Sequence, residues 1–150
     1  MIIDESIDIM KWTLPQSSYN WYNSNIELQD EMINHNDIEF KKWLDKYKYN
    51  NQHPENTLEF YRDKCTNTLI QYEVLLEKNP YLQGEKIQLV DMAIFPFVRQ
   101  FANVEREWFA STFPNIEQWL EIWIQSELFR RVMPKFVPWK AGDQPLYISF

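Results

Sequence analysis

The sequence predicts an all-α, single-domain protein, and three of its properties support this fold class. Apolar residues recur every three or four positions along most of the chain, which is the period of an amphipathic helix. Only two of the 150 residues are glycine, against roughly 7% in an average protein, so tight hairpins and glycine-rich phosphate loops are disfavoured. Hydrophobic residues make up 45% of the chain and aromatic residues 17%, which is enough for a packed core.

Prolines and asparagines divide the helical pattern into segments. The first helix is expected to end before Pro15, because a proline disfavours helical geometry in the residue before it. A polar and aromatic loop follows over 16–23, and the chain beyond Pro134 reads as an irregular tail. The second segment is weak around 34–36, which leaves open whether it is one helix or two. The predicted helices cover about 5–14, 24–47, 58–79, 89–104, 105–113, 114–124 and 127–133.

The clearest helix carries one continuous apolar stripe over five turns. Its members recur every three or four residues: Leu58, Tyr61, Cys65, Leu69, Tyr72 and Leu76. Cys65 lies in the middle of this stripe, and a cysteine needs a neighbouring base to act as a nucleophile. A structural core cysteine is therefore the favoured interpretation.

The remaining chemistry-bearing residues do not form a recognisable catalytic or metal-binding pattern. His35 and His53 are the only histidines, and neither lies beside a cysteine or a spaced carboxylate pair, whereas zinc requires three or four such ligands. No serine stands in a Gly-x-Ser-x-Gly context. We therefore predict no catalytic residue, no metal and no tightly bound cofactor in this chain.

The charge of the chain and the length of its apolar runs limit which partners and which location are expected. The formal net charge is −7, which disfavours nucleic acid, because affinity for phosphates comes mainly from Lys and Arg. The longest clean apolar run, 92–98, is too short to span a bilayer, and the N-terminal region has acids where a secretory signal needs bases. We expect no membrane partner and a cytoplasmic location.

The segment 87–96 has the pattern of a strong helix start. With Gln88 at the N-cap, Asp91 occupies the third helical position, from which its carboxylate can accept a hydrogen bond from the N-cap amide. Ile87 and Met92 then have the spacing of a hydrophobic staple. Pro96 removes a backbone hydrogen bond inside the helix and is expected to kink it. We assign Gln88 and Asp91 a structural N-capping role.

This segment resembles the N-capping box and hydrophobic staple of the helical C-terminal domain of the glutathione S-transferase superfamily. The family pattern is Ser or Thr, two residues and then Asp; Asp91 matches it, whereas Gln88 replaces the Ser or Thr. A poor N-cap typically costs about 1 kcal/mol, so we expect a weakened cap and an unchanged fold. The run 95–102 and the helix of Trp119 and Trp123 also resemble bacterial members, so that the resemblance covers nearly the whole chain.

The resemblance extends to the first helix, where it implies part of a glutathione site. Family proteins begin with a thioredoxin-like domain whose last helix opens with a Glu-Ser or Gln-Ser pair, and residues 5–12 match that helix. In the family, this pair holds the γ-glutamyl end of glutathione, which implies a partial substrate-binding site at Glu5 and Ser6. The implied domains are 1–15, the last helix of a thioredoxin-like domain, and 16–150, a helical C-terminal domain.

A helical wheel supports this interpretation of the first helix independently. At 100° per residue, one side carries Ile3, Ile7, Met10 and Leu14, and the opposite side carries Ile2, Ile9 and Trp12. A helix that is apolar on two opposed faces is expected to lie between two bodies. The alternative is a helix that is central within its own bundle.

Three functions remain open at this stage. In the first, the chain is the helical half of a glutathione-dependent transferase and is inactive without the glutathione-binding half. In the second, it is a helical module for dimerisation or protein interaction. In the third, it is a non-catalytic binder of small apolar ligands. The resemblance implies glutathione as a co-substrate, with a second copy or a thioredoxin-like domain as partner. Tyr19, Trp21, Tyr22 and Phe101 are conceivable residues of a co-substrate pocket, although each equally fits simple packing.

Overall fold

The computed structural model describes residues 4–147, and within them the prediction of an all-α fold is confirmed. The only β-type pairing there is one isolated bridge between Tyr81 and Gly84. The described residues form eight α-helices: α1 Ser6–Thr13, α2 Ile26–His35, α3 Lys41–Lys48, α4 Leu58–Lys78, α5 Leu89–Ala102, α6 Arg106–Thr112, α7 Pro114–Ile124 and α8 Glu127–Val132. Short 3-10 turns cover Leu14–Gln16 and Asn50–Gln52.

The weak centre of the second predicted segment is a π-helical stretch. Asn36–Phe40 joins α2 directly to α3, so the chain stays helical from Ile26 to Lys48. A π-helical turn accommodates one extra residue, which explains why the apolar spacing weakens there. Asn36 is buried on the core side of this turn. Ile26, the first residue of α2, is 42% exposed.

The core is built around α4 and α5. α4 packs against α3 and α7, and α5 packs against α2 and α3. The stripe predicted on α4 is buried, apart from Leu58, which is partly buried. Cys65 is fully buried within it, and burial raises the pKa of its thiol to about 12. The structural role predicted for Cys65 is therefore confirmed.

A half-buried ion-pair network ties α3 and α4 to the chain before α6. Glu105 accepts a hydrogen bond from the Tyr47 hydroxyl at 2.8 Å and one from the Arg62 guanidinium at 2.9 Å. The Arg62 guanidinium also lies 4.2 Å from the centre of the Trp108 ring. Burial, followed by the bond to Glu105, raises the pKa of Tyr47 far above its ordinary value. Glu105 is thus the shared acceptor of the network.

The end of the described chain has the irregular form that the sequence predicts. After α8, residues 133–147 form no helix or strand, and a single turn is fixed by hydrogen bonds between Lys140 and Asp143. None of the described helices is both long and apolar enough to cross a membrane.

Candidate functional site

The start of α1 leaves both predicted glutathione-binding side chains open to solvent. Glu5 is the N-cap, in an extended conformation, and its carbonyl accepts hydrogen bonds from the amides of Asp8 at 3.0 Å and Ile9 at 3.2 Å. The side chains of Glu5 and Ser6 are exposed, and neither forms a hydrogen bond to any residue in 4–147. The first amides of a helix lack partners within it. This end of α1 therefore presents free donors, a hydroxyl and a carboxylate together.

The two faces of α1 differ in their surroundings. Ile7, Met10 and Leu14 are partly buried and pack against the core. On the other side, Ile9 is 49% exposed and Trp12 is 50% exposed. Ile2 and Ile3, which the wheel assigned to the two faces, lie outside the described residues. One face of α1 is thus seated on the helical bundle, while the opposite apolar face has no cover in the described chain.

A three-residue polar cluster fixes α1 to α2. Asp30 accepts hydrogen bonds from Lys11 at 2.8 Å and from the Tyr22 hydroxyl at 2.7 Å, and Lys11 lies 5.0 Å from the centre of the Tyr22 ring. Partial burial opposes ionisation of Asp30, but the hydrogen bonds from Lys11 and Tyr22 outweigh it and lower its pKa. The same contacts raise the pKa of Lys11 against the effect of its burial. This cluster holds α1 at a defined angle.

An apolar groove lies where α1 meets α5 and α8. Its cavity volume is about 230 Å³, below the roughly 300–1,000 Å³ of pockets that take drug-sized ligands. Arg99 is its one charged lining residue, and its guanidinium lies 5.2 Å from the centre of the Phe129 ring. Within residues 4–147, no carboxylate lies within ion-pair distance of Arg99. The other lining residues are Met10, Met92, Phe95, Pro96, Trp123, Ser126, Leu128, Phe129, Val132 and Met133.

Asp91 is fully buried at the start of α5 and organises the chain around it. Its carboxylate accepts hydrogen bonds from the amides of Gln88 at 3.0 Å and Leu82 at 2.9 Å, and from the Trp119 indole at 3.1 Å. Burial raises the pKa of Asp91, while these three donors act in the opposite direction. The contacts join the loop before α5, the start of α5 and α7, which is an architectural arrangement.

The expected weakness of the Gln88 cap is offset by Gln29, a residue that the sequence reasoning missed. Gln29 is fully buried on α2, and its Oε1 accepts a hydrogen bond from the Val90 amide at 3.2 Å. Its Nε2 lies 3.2 Å from Gln88 Oε1 and 2.8 Å from the Ser24 carbonyl. The Trp21 carbonyl accepts from the Leu89 amide at 2.8 Å. The first amides of α5 thus find their hydrogen-bond acceptors on α2 and in the loop that precedes α2. Gln29 lies one helical turn before the buried Ile33, on the same face of α2. This placement was the signal in the sequence that could have revealed its buried position.

The two histidines lie apart from one another, and Phe101 lies apart from the other three conceivable pocket residues. His35 forms a 3.0 Å hydrogen bond with Thr68, and His53 lies 3.5 Å from Glu55. Within residues 4–147, no cluster of His, Cys, Asp and Glu could hold a metal ion. Phe101 is fully buried against Tyr47 and other core aromatics, so it is a core residue and does not line the apolar groove.

The aromatic residues of the loop after α1 take part in local contacts instead. Tyr19 stacks on Trp21 with ring centres 4.6 Å apart. Tyr22 belongs to the cluster around Asp30. None of these three residues lines the apolar groove; Tyr19 and Tyr22 line a separate cleft beside Leu14, and Trp21 lines another beside Ile87.

Comparison with known proteins identifies the fold. Residues 50–121 match the family model described as the glutathione S-transferase C-terminal domain. A class Gtt2 glutathione S-transferase of Vibrio parahaemolyticus is 15% identical with a TM-score of 0.66; the match covers 85% of this chain and 64% of that one. Glutathione S-transferase III in apo form is 13% identical with a TM-score of 0.70, covering 91% and 70%. BphK, a bacterial glutathione S-transferase solved as a ternary complex, is 18% identical with a TM-score of 0.67, covering 85% and 65%.

The matches confirm the resemblance to the helical C-terminal domain of glutathione S-transferases. At these identities the structural likeness shows the fold, and no curated protein matches this chain in sequence. The chain spans only 64% of the length of the Vibrio enzyme. The assignment of glutathione binding to Glu5 and Ser6 stays a prediction.

Proposed function

We propose that this chain forms the helical half of a glutathione-dependent transferase. In this proposal residues 1–15 correspond to the last helix of a thioredoxin-like domain, and residues 16–150 form the helical domain. The rest of the glutathione-binding domain is supplied by further polypeptide, in the same chain or in another. The family match over 50–121 and the fold similarity support this assignment.

The observation that carries the proposal is the two-faced packing of α1. The side with Ile7 and Met10 is seated on the bundle, while Ile9 and Trp12 on the other side are about half exposed. Fully burying a large apolar side chain contributes roughly 1.5–3 kcal/mol, and about half of that gain is still available at Ile9 and Trp12, so the open face favours a covering body. A thioredoxin-like domain that ends in α1 would cover it.

The start of α1 offers chemistry that suits the γ-glutamyl end of glutathione. The free amides and the positive end of the helix dipole attract a carboxylate, and the Ser6 hydroxyl adds a donor. Glu5 supplies a negative charge for the ammonium group of the ligand. Glutathione is thus the proposed co-substrate, and because the cytosol maintains a glutathione pool, the proposed location is the cytoplasm.

The reacting group belongs to the covering domain in this proposal. Cys65 is buried with a raised pKa. His35 hydrogen-bonds to a buried threonine hydroxyl, that of Thr68, and His53 lies beside the carboxylate of Glu55. We therefore expect the chain alone to be inactive.

The experiment begins with the genomic reading frame upstream of Met1. We expect it to encode a thioredoxin-like segment in frame, and the joined product to conjugate glutathione to a chloronitrobenzene electrophile. Glu5→Ala combined with Ser6→Ala should raise the KM for glutathione roughly tenfold or more, since hydrogen bonds to charged groups contribute about 1.5–3 kcal/mol each. Immediate stop codons in a verified genome would count decisively against the joined transferase.

A matched control separates the glutathione site from general surface effects. Ser18 and Glu31 are exposed, and neither side chain forms a hydrogen bond or an ion pair within residues 4–147. Ser18→Ala combined with Glu31→Gln removes one hydroxyl and one charge, as the test pair does. It should leave the KM for glutathione unchanged.

A further inference from the structure

We propose that residues 128–147 bind the surface of a lipid bilayer that carries anionic headgroups. This segment consists of α8 from its second residue onward and the irregular chain that follows it. No spanning helix is needed, because amphipathic segments can bind within the headgroup region. The proposal therefore revises the expectation of no membrane partner, which rested on the length of the apolar runs. It does not depend on the proposed transferase function, since the segment contains neither Glu5 nor Ser6.

The first argument is the concentration of exposed apolar side chains in this segment. It is about a seventh of the described chain, yet it holds eight of the nineteen large hydrophobic residues exposed within residues 4–147: Leu128, Val132, Met133, Phe136, Val137, Trp139, Leu146 and Tyr147. Val137 and Tyr147 are 88% and 90% exposed, more than any other large hydrophobic residue of the described chain. Exposed apolar side chains that adjoin one another in this way mark an interaction surface.

The second argument is the positive charge of the same segment. It contains one acid and four cations: Arg130, Arg131, Lys135 and Lys140. The whole chain, by contrast, has a net charge of −7. Arg131 has one long contact of 4.0 Å to Glu127, and within residues 4–147 no carboxylate lies within ion-pair distance of the other three cations. An anionic membrane surface attracts such a cluster, with roughly a fivefold gain in binding for each Lys or Arg.

A turn within the segment presents an aromatic ring beside a cation. The Lys140 amide donates to the Asp143 carboxylate at 2.8 Å, and the Trp139 indole donates to the Asp143 carbonyl at 3.2 Å. Gly142 has a φ of 100°, a conformation that glycine adopts without strain. Trp139 nevertheless remains 67% exposed. Tryptophan rings favour the headgroup level of a bilayer, where the neighbouring Lys140 can pair with a lipid phosphate.

The backbone of the segment favours a lipid surface over a rigid protein surface. Pro134, Pro138 and Pro145 lack backbone amides and interrupt any strand or long helix. Beyond α8 the described chain has no helix or strand, so its apolar side chains share no single face. Docking into a helix-binding groove or onto a sheet edge requires such a face or a row of amides. A bilayer surface requires neither, and it suits the mixture of aromatic and basic side chains.

The acidic remainder of the chain limits how the protein approaches such a surface. Its negative charges are repelled by anionic headgroups, and contact restricted to residues 128–147 minimises this repulsion. At about 0.1 M salt, charges more than about 10 Å apart are largely screened. We therefore expect binding through this segment alone, and weaker binding in high salt.

Co-sedimentation with lipid vesicles tests the proposal, with far-UV circular dichroism to verify that every variant is folded. At about 0.1 M salt the purified chain should pellet with vesicles of phosphatidylcholine and phosphatidylglycerol. It should pellet much less with phosphatidylcholine alone, or at about 1 M salt. Lys135→Gln combined with Lys140→Gln should weaken binding at least tenfold, because it removes two cations. Val137→Ser combined with Trp139→Ser should also weaken it at least tenfold, because it removes apolar surface that enters the headgroup region.

A matched control uses two cations beside an aromatic ring elsewhere on the surface. The ammonium groups of Lys42 and Lys64 lie 5.0 Å and 5.6 Å from the centre of the Trp43 ring. Within residues 4–147 neither has a carboxylate within ion-pair distance. Lys42→Gln combined with Lys64→Gln removes the same charge as the test pair and should leave vesicle binding unchanged.

Quenching by brominated lipid provides a second arm that locates the contact. Brominated phosphatidylcholine in the anionic vesicles should quench part of the tryptophan fluorescence. Trp139→Phe should keep most of the binding and lose most of the quenching.

A wild-type chain that does not bind anionic vesicles at low salt overturns the proposal. So does equal binding to neutral vesicles, or binding that is lost in the control variant. Binding that survives both pairs of substitutions in residues 128–147, or quenching that Trp139→Phe leaves unchanged, also overturns it. None of these results bears on glutathione binding by the joined protein.

Discussion

Replacing Gln29 with alanine tests whether the start of α5 is stabilised from α2. The side chain of Gln29 accepts from the Val90 amide and donates toward Gln88 Oε1 and the carbonyls of Trp21 and Ser24. Gln29→Ala leaves the Val90 amide and Gln88 Oε1 buried without these partners. Each buried orphan costs about 1–3 kcal/mol, so we expect a loss of about 3 kcal/mol in the free energy of unfolding. That loss is a large part of the 5–15 kcal/mol typical of a domain.

Urea denaturation, followed by tryptophan fluorescence and far-UV circular dichroism, measures this loss. The midpoint should fall while the slope stays unchanged, which is the sign of altered stability alone. Gln71 is exposed on α4 without a side-chain hydrogen bond in the described chain, so Gln71→Ala should change stability by less than about 0.5 kcal/mol. A folded Gln29→Ala protein within that same range would refute the reasoning.

The remaining predictions concern the Asp30 cluster, the Glu105 network and Cys65. Asp30→Asn should lower the free energy of unfolding by less than about 1 kcal/mol at neutral pH, because the ion pair of Asp30 with Lys11 is half exposed. Since the pKa of Asp30 is lowered in the folded protein, the stabilisation by Asp30 is complete above the ordinary value of 3.8 and disappears as pH falls through the folded pKa. Urea titrations of the wild-type and Asp30→Asn proteins should therefore converge in acid. Glu105→Ala should cost about 3 kcal/mol, because it leaves the Arg62 charge and the Tyr47 hydroxyl without their acceptor; an unchanged thermal midpoint would contradict this. Cys65 should react with a thiol reagent only after unfolding, since it is buried with a pKa of about 12; rapid labelling of the native protein would contradict its core position.

Helices that carry a continuous apolar stripe were predictable from the sequence. α4 begins at Leu58 and ends at Lys78, within one residue of the prediction, because its period of three to four is unbroken and Pro80 follows. The sequence does not decide whether α2 and α3 are continuous, because a π-helical turn at Asn36–Phe40 shifts the apolar spacing. A weakened period marks the place of such a turn, but it does not distinguish a π-helical turn from a break between two helices.

Contacts between distant segments account for what the sequence did not predict. Gln29 and Gln88 are 59 positions apart, so a local capping pattern around Gln88 could not show where the α5 amides find their acceptors. The apolar groove brings together Met10, Arg99 and Val132 from three helices, and only their packing makes it a groove. By contrast, the open face of α1 followed from the wheel, because both faces of this helix are encoded within residues 2–14.

The central claim is that this chain contributes only the edge of a glutathione site, at Glu5 and Ser6. Calorimetric titration of glutathione tests it directly, with the isolated chain and with a fusion that places the glutathione-binding domain of the Vibrio parahaemolyticus enzyme before α1. We expect no saturable heat for the isolated chain. We expect saturable binding by the fusion, weakened roughly tenfold or more by Glu5→Ala with Ser6→Ala. Saturable binding of glutathione by the isolated chain would contradict this claim. So would a fusion whose affinity for glutathione is unchanged by the double substitution.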